Sequence, residues 1–233
     1  MIQTTTVRNR PKAFSWSYSK IKNFETCPKR HYHYEIAKDV SEPEGEALQY
    51  GHAIHKALAE AIDGKPLPNH FKNLQPWVDK IIAPNPKVST QPVLLTEQKL
   101  AITNEFEKCD WFAKDAWYRG IADVIKITGR VALAVDWKTG KIIDDGSQLA
   151  LMAQCIFSHH PDVSHVRTEF VWLKEEATTR ADFKREDMAD VWRGILPRVA
   201  LLQNAHETQT FPPKQGGLCR KWCAVVSCPH HGQ

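Results

Sequence analysis

The sequence predicts a single α/β domain in which a mixed β-sheet is flanked by helices. Two observations carry this. The apolar period is helical early in the chain, alternates through the middle and returns to helical near the end, the succession that sets helices against a sheet. With 233 residues, 42% of them apolar, the chain can bury one sizeable core rather than two.

Residues 1–16 form a polar, basic tail. Ser17 to Tyr34 reads as a short helix, with Tyr18, Ile21 and Phe24 at helical spacing, a break at Pro28 and a second helical start. Cys27 sits at the break, and the segment 17–46 closes in an acidic loop, Ser41 to Glu46. The core, 47–204, opens with a helix to about Asp63 whose stripe Leu48, Gly51, His55, Leu58 and Ile62 should face inward. Gly and Pro signals in Gly64–His70 end it. Strands are expected at Val93–Thr103, Trp117–Thr128 and Arg130–Lys138, the last two joined by a tight turn at Thr128-Gly129. A helix capped by Ser147 and running to about Ser158, a strand over His165–Lys174 and a helix over about Arg185–Asn204 follow. Thr208–Gly217, rich in Pro and Gly, leads into a cysteine tail within 205–233.

No apolar run approaches the length of a bilayer span and the amino terminus carries no apolar signal core, so a cytoplasmic location is expected. A net charge of +4 and a pI near 8.7 permit a polyanionic partner without demanding one. Of six cysteines, Cys219, Cys223 and Cys228 crowd into the last fifteen residues, which in a cytosolic chain favours metal ligation over disulfides. Cys109 and Cys155 lie in or beside regular elements and read as buried packing residues.

The chemistry gathers on the strands. Alternation from Trp117 puts Arg119, Ile121, Asp123, Ile125 and Ile127 on one face, leaving Asp123 as the acid in an otherwise apolar row. Burying a lone carboxylate costs several kcal/mol unless a cation meets it. The next strand sets Val131, Leu133 and Val135 on one face and Ala132, Ala134, Asp136 and Lys138 on the other, as a central strand whose acid and lysine point the same way. Two carboxylates at a sheet end with a lysine two residues past one of them is what phosphodiester hydrolysis needs. Carboxylates hold Mg²⁺ or Mn²⁺, the cation polarises a phosphate and acidifies a water, and the Lys138 ammonium orients that water or offsets developing charge. Asp-x-Lys alone is commonly a surface hairpin end; its place after a Gly-x-x-Asp strand and a hairpin makes it informative. His55 is either a satisfied core histidine or a further ligand, while His52 should face solvent. Glu97, on the preceding strand, is an outer ligand or an edge charge.

Ser17-Tyr-Ser-Lys-Ile-Lys-Asn-Phe-Glu-Thr-Cys27-Pro, Gly51-His-Ala-Ile-His55, Gly120-Ile-Ala-Asp123 and Asp136-Trp-Lys138 follow one another in the order of a known family's motifs. Over nearly its whole length the chain resembles the PD-(D/E)XK nucleases, in the RecB/AddB-like branch with an iron–sulfur cluster, and especially the CRISPR-associated Cas-four group and phage exonucleases. The resemblance implies a restriction-endonuclease-like core and a metal-dependent DNA exonuclease acting in recombination, repair, or phage or CRISPR DNA processing. It implies His55, Asp123, Asp136 and the Trp137 carbonyl as ligands of Mg²⁺ or Mn²⁺, with Asp123, Asp136 and Lys138 as the catalytic set. Gln148 matches the first residue of a Gln-x-x-x-Tyr motif on the next helix, but Met152 stands at the tyrosine position.

The same resemblance joins Cys27 to Cys219, Cys223 and Cys228 around a 4Fe-4S cluster that fastens the two end segments together. Pro28 suits the first turn of a helix whose dipole favours a thiolate at its start. The alternatives are a zinc site using the three late cysteines with His230 or His231, or unliganded thiols. DNA with free ends, preferentially single-stranded, is the implied partner. Arg30 with Tyr32, and Arg220 and Lys221 with Trp222, interleave cations with aromatics as single strands require, or are solvated charges beside buried rings. A second class of function is a non-catalytic DNA-binding or assembly subunit that keeps the fold; the presence of Asp123, Asp136 and Lys138 weighs against it.

Overall fold

The strand signals resolve into one six-stranded sheet in the computed structural model, which describes residues 14–41, 45–84, 90–142 and 145–233. Most of the basic tail and the centre of the acidic loop lie outside those residues. The strands are β1 (Val93–Ile102), β2 (Lys108–Cys109), β3 (Tyr118–Thr128), β4 (Val131–Lys138), β5 (His165–Trp172) and β6 (Ala177–Lys184), in spatial order β2-β1-β3-β4-β5-β6. Neighbours are antiparallel except β4 and β5. A parallel pair needs a crossover. The helix between them supplies it.

Among the described residues the α-helices about the sheet are α1 (Tyr18–Thr26), α2 (Pro28–His31), α3 (Glu46–Ile62), α4 (Gln75–Ile82), α5 (Ser147–His159) and α6 (Met188–Thr208). On one face, Ala122, Ile125, Ala132 and Ala134 pack against α5 and against Trp192, Ile195, Val199 and Leu202 of α6. The small alanines of β4 let α5 approach closely, and α5 is buried at every residue from Leu149 to Phe157, the mark of a helix enclosed on all sides. On the other face, Val124, Val135, Trp137 and Val171 meet Ile54 and Leu58 of α3 and Val78 and Ile81 of α4. Among the described residues, no helix is long and apolar enough to cross a membrane.

The break at Pro28 is as expected. Ser17 caps α1, its Oγ accepting the Lys20 amide at 3.4 Å, and the chain is extended at Cys27 before Pro28 opens α2. Gly129, at φ +58, closes the two-residue turn between β3 and β4, a conformation that costs glycine little.

Several expectations are corrected. Leu48 is 47% exposed, and the buried stripe of α3 begins at Ile54. Gly146, not Ser147, is the cap residue of α5; Asp145 Oδ1 accepts the Ser147 amide at 3.0 Å. The strand expected to reach Lys174 stops at Trp172, where a turn leads into β6, an edge strand too polar to betray itself by alternation. β2 and α4 were not expected at all. Cys155 is buried as expected, whereas Cys109 is half-buried on β2.

The most consequential correction lies on β3. Ile125 and Ile127 share the α5-side core with Tyr118 and Ala122, while Val124 faces α3, so the row expected to contain Asp123, Ile125 and Ile127 breaks at Asp123. The partner strand bends with it: Thr96 pairs with Val124 and Gln98 with Ala122, leaving Glu97 opposite Asp123 with φ of 49°. A left-handed non-glycine residue costs about 1 kcal/mol or more and is held only where its surroundings impose it.

Candidate active site

The β3–β4 ladder ends at Val124 and Val135, and Asp123 and Asp136 are the next residues on the two strands. Asp123 Oδ2 accepts the Trp137 amide at 2.7 Å and Oδ1 lies 3.2 Å from Nδ1 of His55, which α3 brings over the sheet. His55, Glu97 and Asp123 each offer a ligand atom within 4.8 Å of the other two. Donors around a Mg²⁺ ion at 2.0–2.1 Å stand about 3–4 Å apart, so this group needs little movement to hold one. Glu97, exposed, thus lies within reach of His55 and Asp123.

Asp136 faces the α5 side. Its carboxylate accepts Lys138 Nζ at 2.9 Å and Gln148 Nε2 at 2.7 Å, and Lys138 also donates to Gln148 Oε1 at 3.1 Å. The ammonium rests 4.6 Å from the centroid of Phe170, a contact the sequence did not suggest. His55, Glu97, Asp123, Asp136, Lys138 and Gln148 thus meet at one end of the sheet, but Asp136 is turned toward the lysine instead of completing the tight group. Trp137 contributes its amide to Asp123, and its indole is buried on the α3 side. His52 is exposed, as expected.

Crowding sets the electrostatics. Burial first, then the charge of Asp123, pushes the Asp136 carboxyl up to about 6 against the pull of Lys138. Burial works against a charged His55, yet the hydrogen bond and charge of Asp123, with Asp136 and Glu97, outweigh it and raise its pKa. Burial and Asp123 likewise raise Glu97. Negative charge gathered in excess at a partly dry site is what a divalent cation relieves.

The start of α5, which carries Gln148, is fixed from outside. Arg198 of α6 donates to Glu25 of α1 at 2.6 and 3.0 Å and to Ser147 Oγ at 2.7 Å, while Lys22 reaches Asp145 at 3.0 Å. A bidentate guanidinium gives this joint its geometry. Arg198→Ala should lower stability by about 1–3 kcal/mol, a melting temperature lower by about 2–4 °C per kcal/mol. Thermal melts check this.

The other candidates divide. Arg30 donates to Asn23 Oδ1 of α1 and lies 4.4 Å over the Tyr34 ring, and Tyr32 packs on Phe211 of the tail at 5.3 Å. Arg220, Lys221 and Trp222 are exposed, Trp222 at 75%. Cys27, Cys219, Cys223 and Cys228 line one cavity of about 70 Å³. The Lys214 amide donates to Cys27 Sγ at 3.4 Å, and the Lys29 amide to Pro212 O at 3.2 Å, docking the tail on the α1–α2 break. No three of these sulfurs lie within 4.8 Å of one another; among the described residues that spacing is met by His55, Glu97 and Asp123.

No curated protein sequence matches the chain. The crystal structure of SSO0001 is similar over 96% of this chain and 90% of its own, at 14% identity and a TM-score of 0.49. A protein of Eubacterium rectale described as a candidate exonuclease is similar over 95% and 93%, at 12% identity and a TM-score of 0.51; at that identity the likeness concerns the fold. The model of one family matches residues 15–229, from Ser15 ahead of α1 to Pro229 in the cysteine tail, and the chain belongs to that family, the PD-(D/E)XK nuclease superfamily.

Proposed function

We propose that the protein is a Mg²⁺- or Mn²⁺-dependent deoxyribonuclease that degrades DNA from free ends and prefers single strands. One observation supports the hydrolytic part above others: His55, Glu97 and Asp123 gather at ion-binding distance on one side of the β3–β4 pair while Lys138 is held by Asp136 and Gln148 on the other. Superfamily membership supports phosphodiester hydrolysis with a divalent metal.

When bound, the cation supplies Lewis-acid polarisation of the scissile phosphate. His55, Glu97 and Asp123 would hold it, with Asp136 and the Trp137 carbonyl as further ligands. The Trp137 amide fixes the orientation of Asp123. Lys138, a quarter exposed, is placed to donate a hydrogen bond to the phosphate or the attacking water, and Gln148 keeps it from swinging away.

End-labelled linear and circular single-stranded DNA test this directly. Linear strands should shorten with Mg²⁺ or Mn²⁺ and not in EDTA. Circular strands cut as fast as linear ones would overturn the exonuclease part.

The four cysteines, in the same proposal, hold a 4Fe-4S cluster. Four thiols around one cavity beside the buried Val225 suit it. A zinc ion at about 2.3 Å from each sulfur would draw them to about 3.8 Å apart, closer than any three of them stand. Anaerobically purified protein should carry about four irons and a visible absorption band. The band should disappear in Cys27→Ala; its survival would remove Cys27 from the ligand set, and stoichiometric zinc without iron would overturn the cluster.

A further inference from the structure

A cavity of about 660 Å³ opens beside the acidic centre, between the Ser15–Lys20 segment and β3, with Lys138 and Gln148 at one end. Its buried lining is apolar: Leu100, Ala122, Met152 and Cys155. Trp111 and Tyr118 give it aromatic surface, and Ser17, Ser19 and Lys20 give it polar groups nearer solvent. A volume within the usual range for small-molecule pockets, apolar inside and polar outside, suits a flat ring carried on a charged chain.

The aromatic wall is held in place. Arg119 donates from Nε to the Trp111 carbonyl at 2.6 Å, from Nη2 to the Ala113 carbonyl at 3.4 Å, and to the Ser15 hydroxyl. Its guanidinium therefore clamps the loop that presents Trp111 to the N-terminal rim. Gly120 keeps the space open, since a Cβ there would meet Tyr118 Oη at 3.0 Å.

We propose that this cavity receives an unstacked nucleobase of the strand being cut, adjoining the phosphate presented to Lys138. The identity of the ligand rests on the deoxyribonuclease assignment above. The base stacks on Trp111, and its entry selects single strands and frayed ends, because a base inside a duplex is already paired and stacked and must first be pulled out.

Binding measured in EDTA separates this site from catalysis. Single-stranded oligonucleotides carrying 2-aminopurine at successive positions from one end, and the same strands with an abasic site there, are titrated with wild-type protein. At one position the fluorescence should be quenched, and the intact strand should bind about 5- to 150-fold more tightly than the abasic one. Trp111→Ala should remove most of both effects and Trp111→Phe should restore them. Gly120→Leu, filling the cavity from the backbone, should act as Trp111→Ala does, with a melting curve confirming that it folds. A fully paired duplex should show no quenching. Equal affinity for intact and abasic strands at every position, or undiminished quenching in Trp111→Ala, would overturn the pocket. A wild type that binds and quenches but never cleaves with metal would keep the pocket and sink the nuclease assignment; one that cleaves without sensing the abasic site would do the reverse.

Discussion

Replacing Lys138 or Asp123 by alanine should reduce metal-dependent DNA cleavage by about a thousandfold or more. Loss of one preorganised donor to developing charge typically costs about 10²–10³ in rate, and loss of a ligand for the catalytic ion costs several kcal/mol, each 1.36 kcal/mol being tenfold. The two variants should fail differently. Asp123→Ala removes a ligand and strands the buried Trp137 amide, so it should also lose about 1–3 kcal/mol of stability. Excess Mn²⁺ should recover part of its activity, because the defect includes ion occupancy. Lys138→Ala leaves the His55, Glu97 and Asp123 group untouched, so added metal should not help it. Lys138→Arg should remain impaired, since a planar guanidinium cannot replace a compact ammonium seated between Asp136, Gln148 and Phe170. Single-turnover cleavage of end-labelled strands at saturating metal measures all of this. Either alanine variant within tenfold of wild type would remove its residue from the chemistry.

How much of this site was legible depends on whether a residue announces itself by pattern. Asp136 and Lys138 did, because a period-two strand with apolar residues on both faces leaves charged ones conspicuous at its end. His55 did so by helical spacing from Gly51. Glu97 could only be left between two roles, since its closeness to His55 and Asp123 depends on a left-handed backbone opposite Asp123 that no side-chain sequence marks. The same kink defeated the expected face of Ile125 and Ile127. Gln148 was named by motif, but what fixes it was hidden: Glu25 and Arg198 are 173 residues apart in the chain, and nothing local in either signals the other. The cavity beside Lys138 was equally silent, because its walls come from the N-terminal segment, the 110–117 loop, β3 and α5. Periodicity reports which face a residue occupies within one element. Contacts between distant elements appear only once the fold exists.

Asp136→Asn should raise the melting temperature of the metal-free protein at pH 7 to 8 while abolishing cleavage. Folding pushes the wild-type carboxyl up to about 6 from its ordinary 3.8, chiefly because burial disfavours its charge and secondarily because of the charge of Asp123, with Lys138 offsetting only part of this. A carboxyl with its pKa raised by folding binds its proton more tightly in the native state than in the unfolded one. The native state therefore loses stability as pH rises from about 4 through 6, and above that window the whole penalty is present. Its size should be about 1–3 kcal/mol, so the neutral asparagine should melt about 2–10 °C higher in EDTA at pH 7.5 and should lack the loss of stability between pH 4 and 6 that Asp136 contributes. Saturating Mg²⁺ or Mn²⁺ should then narrow or invert the difference, because an ion that binds only the native state stabilises it by an amount that grows with the logarithm of its concentration relative to its dissociation constant, and the asparagine protein binds it more weakly. An Asp136→Asn protein melting below wild type throughout pH 6–8 in EDTA would show the Lys138 ion pair to outweigh desolvation. Where the expected order holds, a carboxylate that costs the empty protein stability is retained because the site works charged, and the ion is what makes that charge tolerable.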